Sequence, residues 1–307
     1  MLPHGIMFHH FHDDGHPQGQ GSISARQLAD LIEFLGPQRI LPAHEWLDRA
    51  RTGQLADGNL CLTFDDNLRS QYDIAGPVLR NFGLTVFWFV YTSVLQGALE
   101  RLELYRRFRI TAFEHTDDFY AVFIQAVEQS DYGPEARTLL AAFDPETYLA
   151  EFPFYSETDR RFRYVRDEVL GPERYVAVMD RLITSRGLRL RSLADNLWMD
   201  DDCLRRLHDA GHIIGLHSHT HPTRLAKLDA DAQKREYRAN HEHLTQLFGE
   251  QPACMSHPCN SYNDDTLRVL RELGIVLGFR ANMTQRGHSP LELPRQDHAN
   301  ILAEMCV

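Results

Sequence analysis

Leu60-Cys61-Leu62-Thr63-Phe64-Asp65-Asp66 is the stretch from which the fold follows. Residues 60–64 are apolar or β-branched without a break, the pattern of a buried strand, and two adjacent carboxylates come directly after. Asn67 and a helical pattern over 69–81 put those carboxylates at the strand's C-terminal end, where α/β folds bind their ligands. Successive side chains on a strand point to opposite faces. The two aspartates therefore cannot share one task unless the chain turns, and one can face a metal while the other faces a reacting water. Asp also serves turns and helix N-caps, so the pair takes chemical meaning from what the chain brings beside it.

Upstream, the short apolar run 5–8 ends in His9-His10-Phe11-His12-Asp13-Asp14 and reads as a first strand with histidines at its C-terminal end. Ser24-Ala25-Arg26-Gln27 is a capping box opening a helix to residue 35, with Leu28, Leu31, Ile32 and Leu35 on one face. A second short strand is expected over 39–41 and a helix over 43–51. Downstream, Gly83 ends the helix that follows the aspartates, and the nearly continuous apolar run 84–91 reads as another buried strand. The character changes over 96–197, where 99–108, 117–128, 135–143 and 173–186 look helical and strand signals are few. Strand and helix alternation then resumes. A helix over 200–210 is closed by Gly211, and a strand over 212–216 delivers His217-Ser218-His219-Thr220-His221-Pro222. A long helix over 229–248 precedes a short strand, 253–256, that leads into His257-Pro258-Cys259-Asn260-Ser261-Tyr262-Asn263-Asp264. A helix to 273 and a strand over 275–279 follow, with Leu291-Glu292-Leu293-Pro294-Arg295 near the end. Strands that alternate with helices and feed polar loops point to parallel strands with converging ends.

Composition narrows the classes. The 307 residues, 43% hydrophobic, suffice for one large α/β barrel or two ordinary domains. A net charge of −11 argues against nucleic acid or an anionic membrane as partner. Five cysteines without CxxC spacing argue against a disulfide framework and fit a reducing compartment. Met1-Leu2-Pro3-His4 has neither a basic nor an apolar leader pattern, and no apolar run is long enough to cross a bilayer. A cytoplasmic location is expected on these grounds. Seventeen histidines hint at metal or acid–base chemistry.

His217 and His221 are the second anchor. On a continuous strand they would stand roughly 13 Å apart, too far for one ion, but in a turn of helix they are neighbours. Pro222 and the hydroxyls of Ser218 and Thr220 favour leaving the strand here. A turned His-x-x-x-His with one carboxylate makes a three-ligand, open site of the zinc type.

With these residues assembled, the chain resembles the polysaccharide deacetylases, the family-four carbohydrate esterases that include the chitooligosaccharide nodulation deacetylases. The resemblance rests on Thr63-Phe64-Asp65-Asp66, on the 217–222 segment and on Pro258-Cys259-Asn260-Ser261-Tyr262-Asn263-Asp264. It implies a distorted (β/α)7-type barrel built from residues 1–95 and 198–307; it leaves unmatched 96–197, whose helical pattern reads as an insertion or lid or as a small separate helical domain. It also implies that Asp65 is the general base, and that Asp66, His217 and His221 hold one divalent ion, zinc being the expected one. The family's third motif usually reads Pro-Tyr-Gly or Pro-Phe-Gly, often with Arg two residues before the Pro. Here Ser256 takes the Arg place, Cys259 the aromatic place and Asn260 the glycine place. The backbone N–H at the aromatic position is an oxyanion donor in the family, a role Cys259 can keep. The usual final Leu-x-His motif is absent, and several members resemble a permuted arrangement in which an aromatic-His pair on the first strand supplies the acid. Phe8-His9 fits that place, and Leu293-Pro294-Arg295 resembles the arginine those members set against the base.

The chemistry expected from these residues is amide hydrolysis. Asp65 takes a proton from water, Cys259 N–H stabilises the oxyanion, and a histidine protonates the leaving amine. His9 is the first choice of acid, expected on the side of the site opposite Asp65, with His10 and His298 behind it. The expected substrate is an N-acetylated or N-formylated amino sugar, small or lipid- or nucleotide-linked, in surface polysaccharide or natural-product biosynthesis. A hydrolase of a linear or cyclic non-sugar amide and a catalytically silent, metal-dependent sugar-binding module are the competing readings. Selectivity is expected from the insertion, where Phe152, Phe154 and Tyr155 stand beside Arg160 and Arg161.

Overall fold

The computed structural model describes residues 2–149, 155–284 and 289–305. Two compact units divide the chain, Met1–Glu100 with Asn196–Val307 as one and Arg101–Asp195 as the other.

The first unit is built around parallel strands. β1 (His4–Phe8), α1 (Ala25–Leu35), α2 (Ala43–Arg51), β2 (Leu60–Asp65), α3 (Gly76–Phe82) and β3 (Phe87–Val90) come in order. The capping box at Ser24 and Gln27 forms as expected and α1 buries Leu28, Leu31, Ile32 and Leu35. Two expectations change. Residues 39–41 make only a single bridge, Ile40 to Leu60, after a 3₁₀ turn at Pro37–Arg39, because Pro37 and the positive φ of Gly36 turn the chain before a ladder can start. The helix expected over 69–81 is a π turn, Gln71–Ala75, running into α3, with Gln71 drawn inside.

The second unit comprises α4 (Arg101–Thr111), α5 (Thr116–Glu128), α6 (Gly133–Leu140), α7 (Glu157–Tyr164), α8 (Gly171–Ser185) and α9 (Leu190–Leu193). α7 has no apolar period to announce it, and Ser156 opens it through a capping box with Asp159. An aromatic cluster of Phe108, Phe119, Phe123 and Phe162 fills this unit's interior. Of the residues expected to select substrate, Tyr155 packs under the Arg163 guanidinium and Arg160 donates to the Pro145 carbonyl, both within this unit. Phe152 and Phe154 lie outside the described residues.

The first unit resumes with α10 (Asp201–Asp209), β4 (Ile213–Leu216), α11 (Ala230–Phe248), β5 (Cys254–Ser256), α12 (Asp264–Glu272), β6 (Leu277–Phe279), β7 (Arg295–Asp297) and α13 (His298–Met305). The sheet order is β6-β5-β4-β3-β2-β1-β7, every pairing parallel. Residues 293–297 bring the two edges together, Leu293 bridging Phe279 and Arg295 pairing with Gly5, so the seven strands form a nearly closed α/β barrel. Close approach is built into β4. A Cβ on Gly215 would meet the Cys254 carbonyl oxygen at 2.6 Å and the Phe89 ring at 2.8 Å. Among the described residues no helix is long and apolar enough to cross a membrane.

Candidate active site

The C-terminal ends of β1, β2, β4 and β5 deliver the chemical groups. β2 ends at Asp65, and the chain then turns through left-handed φ values of 80° at Asp66 and 58° at Asn67. That turn lets two adjacent aspartates face one site. The same device recurs at Ser218 and His221 after β4 and at Cys259 and Asn260 after β5. Of the eight non-glycine residues with positive φ among the described residues, six therefore lie in three loops at one end of the barrel. Such strain clusters where the surrounding structure holds a functional geometry in place.

The 217–221 loop is shaped from beneath by α11. Asn240 Oδ1 accepts the His217 N–H at 2.9 Å, and the Asn240 amide donates to Val90 O and Thr92 Oγ1 at 3.1 Å each. One turn earlier Glu236 accepts the backbone N–H groups of His219 and Thr220 and the Thr220 hydroxyl. These bonds bend the loop until His217 and His221 stack at 4.9 Å between ring centroids. Their Nε2 atoms stand 3.4 and 3.3 Å from Asp66 Oδ1. Asp66, His217 and His221 are all buried, with ligand atoms within 4.8 Å of one another.

A divalent ion fits this donor set. Asp66 Oδ1 is buried and accepts no hydrogen bond, so its lone pairs are open to a cation. The His217 Nδ1–H donates to the Ser256 carbonyl at 2.9 Å, which leaves the Nε2 lone pair toward Asp66. Burial opposes ionisation of Asp66; when the imidazoles are protonated instead, His221, His217 and His9 outweigh it and hold the carboxyl far below its usual range.

Asp65 has different company. Arg295, fully buried on β7, grips it with two parallel bonds, Nη1 to Oδ1 at 2.8 Å and Nη2 to Oδ2 at 2.7 Å. The remaining donors go to Thr63 Oγ1 at 3.1 Å, Ser256 Oγ at 2.7 Å and the Arg280 carbonyl at 2.6 Å, so all five N–H groups of the guanidinium are used. Ser256, at the place where the resembled motif has Arg, thus receives an arginine from another strand and itself donates to Asp65 Oδ2 at 3.2 Å. Burial would raise the Asp65 pKa; Arg295, together with His217 and His9, outweighs it and keeps the carboxyl below its ordinary value.

His9 stands beside the carboxylates rather than across from them, its Nε2 3.9 Å from Asp65 Oδ2 and 3.9 Å from Asp66 Oδ2. The reason is topological: β1 pairs directly with β2, so the residues after Phe8 and Phe64 emerge side by side. His10 stacks on His9 at 6.0 Å. His298 stacks on Phe8 and is clasped by the backbone, its ring nitrogens 3.2 Å from the carbonyls of Met7 and Gly21. His257 is fully buried with its Nε2–H on Leu291 O, and burial holds its pKa down to about 3. Cys259 is exposed, and among the described residues neither it nor the buried Cys61, Cys203 and Cys254 is in a disulfide.

The sequence reading missed Gln71, Glu236 and Asn240. For the last a signal exists: Gln233, Tyr237, Asn240 and Leu244 share the buried face of α11, and polar residues there ask what they hold.

Comparisons with known proteins agree with this picture. The polysaccharide deacetylase family matches residues 181–278. The fold is that of solved polysaccharide deacetylases. A deacetylase of Streptococcus pyogenes, PplD, superposes with a TM-score of 0.56 at 14% identity, covering 97% of this chain and 92% of its own. IcaB of Ammonifex degensii does so with 0.52 at 14%, covering 96% and 90%. The de-N-acetylase of Aggregatibacter actinomycetemcomitans gives 0.56 at 11%, covering 96% and 94%. No curated protein matches the chain by sequence.

Proposed function

We propose that the protein is a metal-dependent hydrolase that removes an N-acyl group, acetyl or formyl, from an amino sugar. One observation carries the reading: beside a three-ligand cluster stands a second carboxylate, Asp65, that is outside the cluster yet held ionised by a dedicated arginine. Binding a sugar through a metal needs no such base. The polysaccharide deacetylase match and the deacetylase fold neighbours support the carbohydrate class.

Asp66, His217 and His221 would hold the ion, zinc by the nature of two imidazoles and one carboxylate. Bound there, it would lower the pKa of a water and polarise the amide carbonyl. Asp65 accepts the proton of the attacking water, its orientation fixed by Arg295 and Ser256. The Cys259 N–H donates to the developing oxyanion. His9 delivers a proton to the leaving amine, without which the tetrahedral species would expel water again. The substrate is a small or a lipid- or nucleotide-linked sugar, in surface polysaccharide or natural-product biosynthesis.

The test combines elemental analysis with acetate and formate release from acylated amino sugars and from simple non-sugar amides. The expected result is one divalent ion per chain and release from sugars. Asp65→Asn should remain folded and metal-loaded yet turn over at least ~100-fold more slowly, the scale for losing a general base. Release from non-sugar amides alone would move the enzyme out of the carbohydrate class. Metal binding with no release from either would make it a binding module.

A further inference from the structure

We infer that Gln71 is a positioning residue that sets the acid, His9, against the base, Asp65. The inference rests on the reading of those two residues given above. Gln71 opens the π turn and is fully buried. Its Nε2 donates to two backbone carbonyls, His9 O at 2.7 Å and Asp65 O at 2.5 Å. Its orientation is fixed by that company, since a flipped amide would set Oε1 against two carbonyl oxygens. The cost is visible: Oε1 is buried without a hydrogen-bond partner. A leucine would fill similar space with no polar atom to satisfy, so space-filling does not account for an amide here.

The two carbonyls mark where the β1–β2 ladder stops. Phe8 and Phe64 are its last pair, and the chains part at the next residues, His9 and Asp65. Gln71 ties the parting strands together there. The two partners do not depend on it equally. The Asp65 side chain is already fixed by Arg295 and Ser256. Among the described residues the His9 ring makes no side-chain hydrogen bond; it has the two 3.9 Å approaches and the stack on His10. What places His9 is therefore its backbone, and Gln71 holds that backbone. A π turn is a common device at such sites, because the extra residue re-aims a side chain inward.

The test uses the metal-loaded full chain. Gln71→Met keeps the length and removes both donors, and Gln71→Glu keeps the shape with one donor at most. Gln71→Met should lower kcat by ~10- to 100-fold, with KM within about twofold and metal content unchanged. In a His9→Ala background the same substitution should change kcat by less than about twofold, since no acid is left to place. Gln71→Glu should fall between wild type and Gln71→Met, and it carries the test if Gln71→Met does not fold. A readout free of turnover separates this inference from the assignment of function. The imidazole NMR signals of His9, identified by their loss in His9→Ala, should shift or broaden in Gln71→Met while those of the backbone-clasped His298 stay in place. Unchanged kcat, an equal loss in the His9→Ala background, or undisturbed His9 signals would each overturn the inference. Absence of any acyl release by the wild type would overturn the function and leave the NMR arm standing.

Discussion

Replacing Arg295 by Met tests the central electrostatic arrangement. Met spans a similar length and is apolar, so the change removes charge and donors with little change in bulk. Both partners are out of solvent, Arg295 at 0% and Asp65 at 2% exposure, so water cannot take over the lost bonds. Breaking such a pair from one side leaves an uncompensated charge and costs about 3–5 kcal/mol. The Arg280 carbonyl, which accepts Arg295 Nε, loses its donor as well, for about 1–3 kcal/mol if it stays dry. Against a total stability of about 5–15 kcal/mol for a typical protein, the loss is large. Asp65→Asn alone is also destabilising, because it strands the guanidinium. The double variant strands neither charge and should recover about 2–3 kcal/mol relative to the sum of the singles, the range of strongly coupled neighbours. Urea unfolding of all four proteins at pH 8 and one fixed metal concentration measures the cycle, because neither residue is in the ligand cluster. A coupling below about 0.5 kcal/mol, the level of independent sites, would refute the claim that Arg295 and Asp65 act as one unit.

Three further outcomes follow from other parts of the molecule. Asp66→Ala and His217→Ala should each lose the divalent ion by elemental analysis, and full occupancy in both would remove them as ligands. His212 is buried with its Nδ1 accepting the Val86 N–H, and burial lowers its pKa to about 4. The unfolded chain takes up a proton near pH 6.5 that the folded one refuses until pH 4, so stability falls as pH drops through this window, by ~3 kcal/mol for this residue. His212→Asn, which keeps an acceptor and does not titrate, should flatten that decline in urea midpoints measured between pH 7.5 and 4.5; an unchanged slope would contradict the assignment. Gly215→Ala should cost about 1–3 kcal/mol through the β4 clash. Gly76→Ala, where only Arg80 Nη1 approaches, at 3.7 Å, should be neutral or stabilising.

The elements legible in the sequence are those whose signal is local. Residues 60–64 and 87–90 read as strands because short runs of apolar, aromatic and β-branched residues suit a fully buried strand, and Gly83, with φ of 64°, stops the helix between them. Gathering of Asp66, His217 and His221 also followed, since each loop comes directly off a strand end. β7 was hidden. Arg-Gln-Asp has no strand character, and only pairing with Gly5, Ile6 and Met7 makes it one. Gln71 was hidden for the same reason, because the carbonyls it holds belong to strands whose adjacency no local pattern encodes. α7 escaped because its residues are mostly charged and a cap rather than an apolar face defines it.

Position 295 has one more consequence, in time rather than in space. The bond between Arg295 and Asp65 spans 230 residues, and the strand that carries it reaches back to Gly5. Contacts of such separation demand the longest loop closures, and folds rich in them fold slowly. A nascent chain that has reached Phe279 already contains the residues of six strands and Asp66, His217 and His221, yet Asp65 has no arginine beside it. Docking of the last strand is then the event that gives Asp65 its arginine. A protease cut ahead of residue 295 would leave Asp66, His217 and His221 in the chain but take away the arginine that pairs with Asp65.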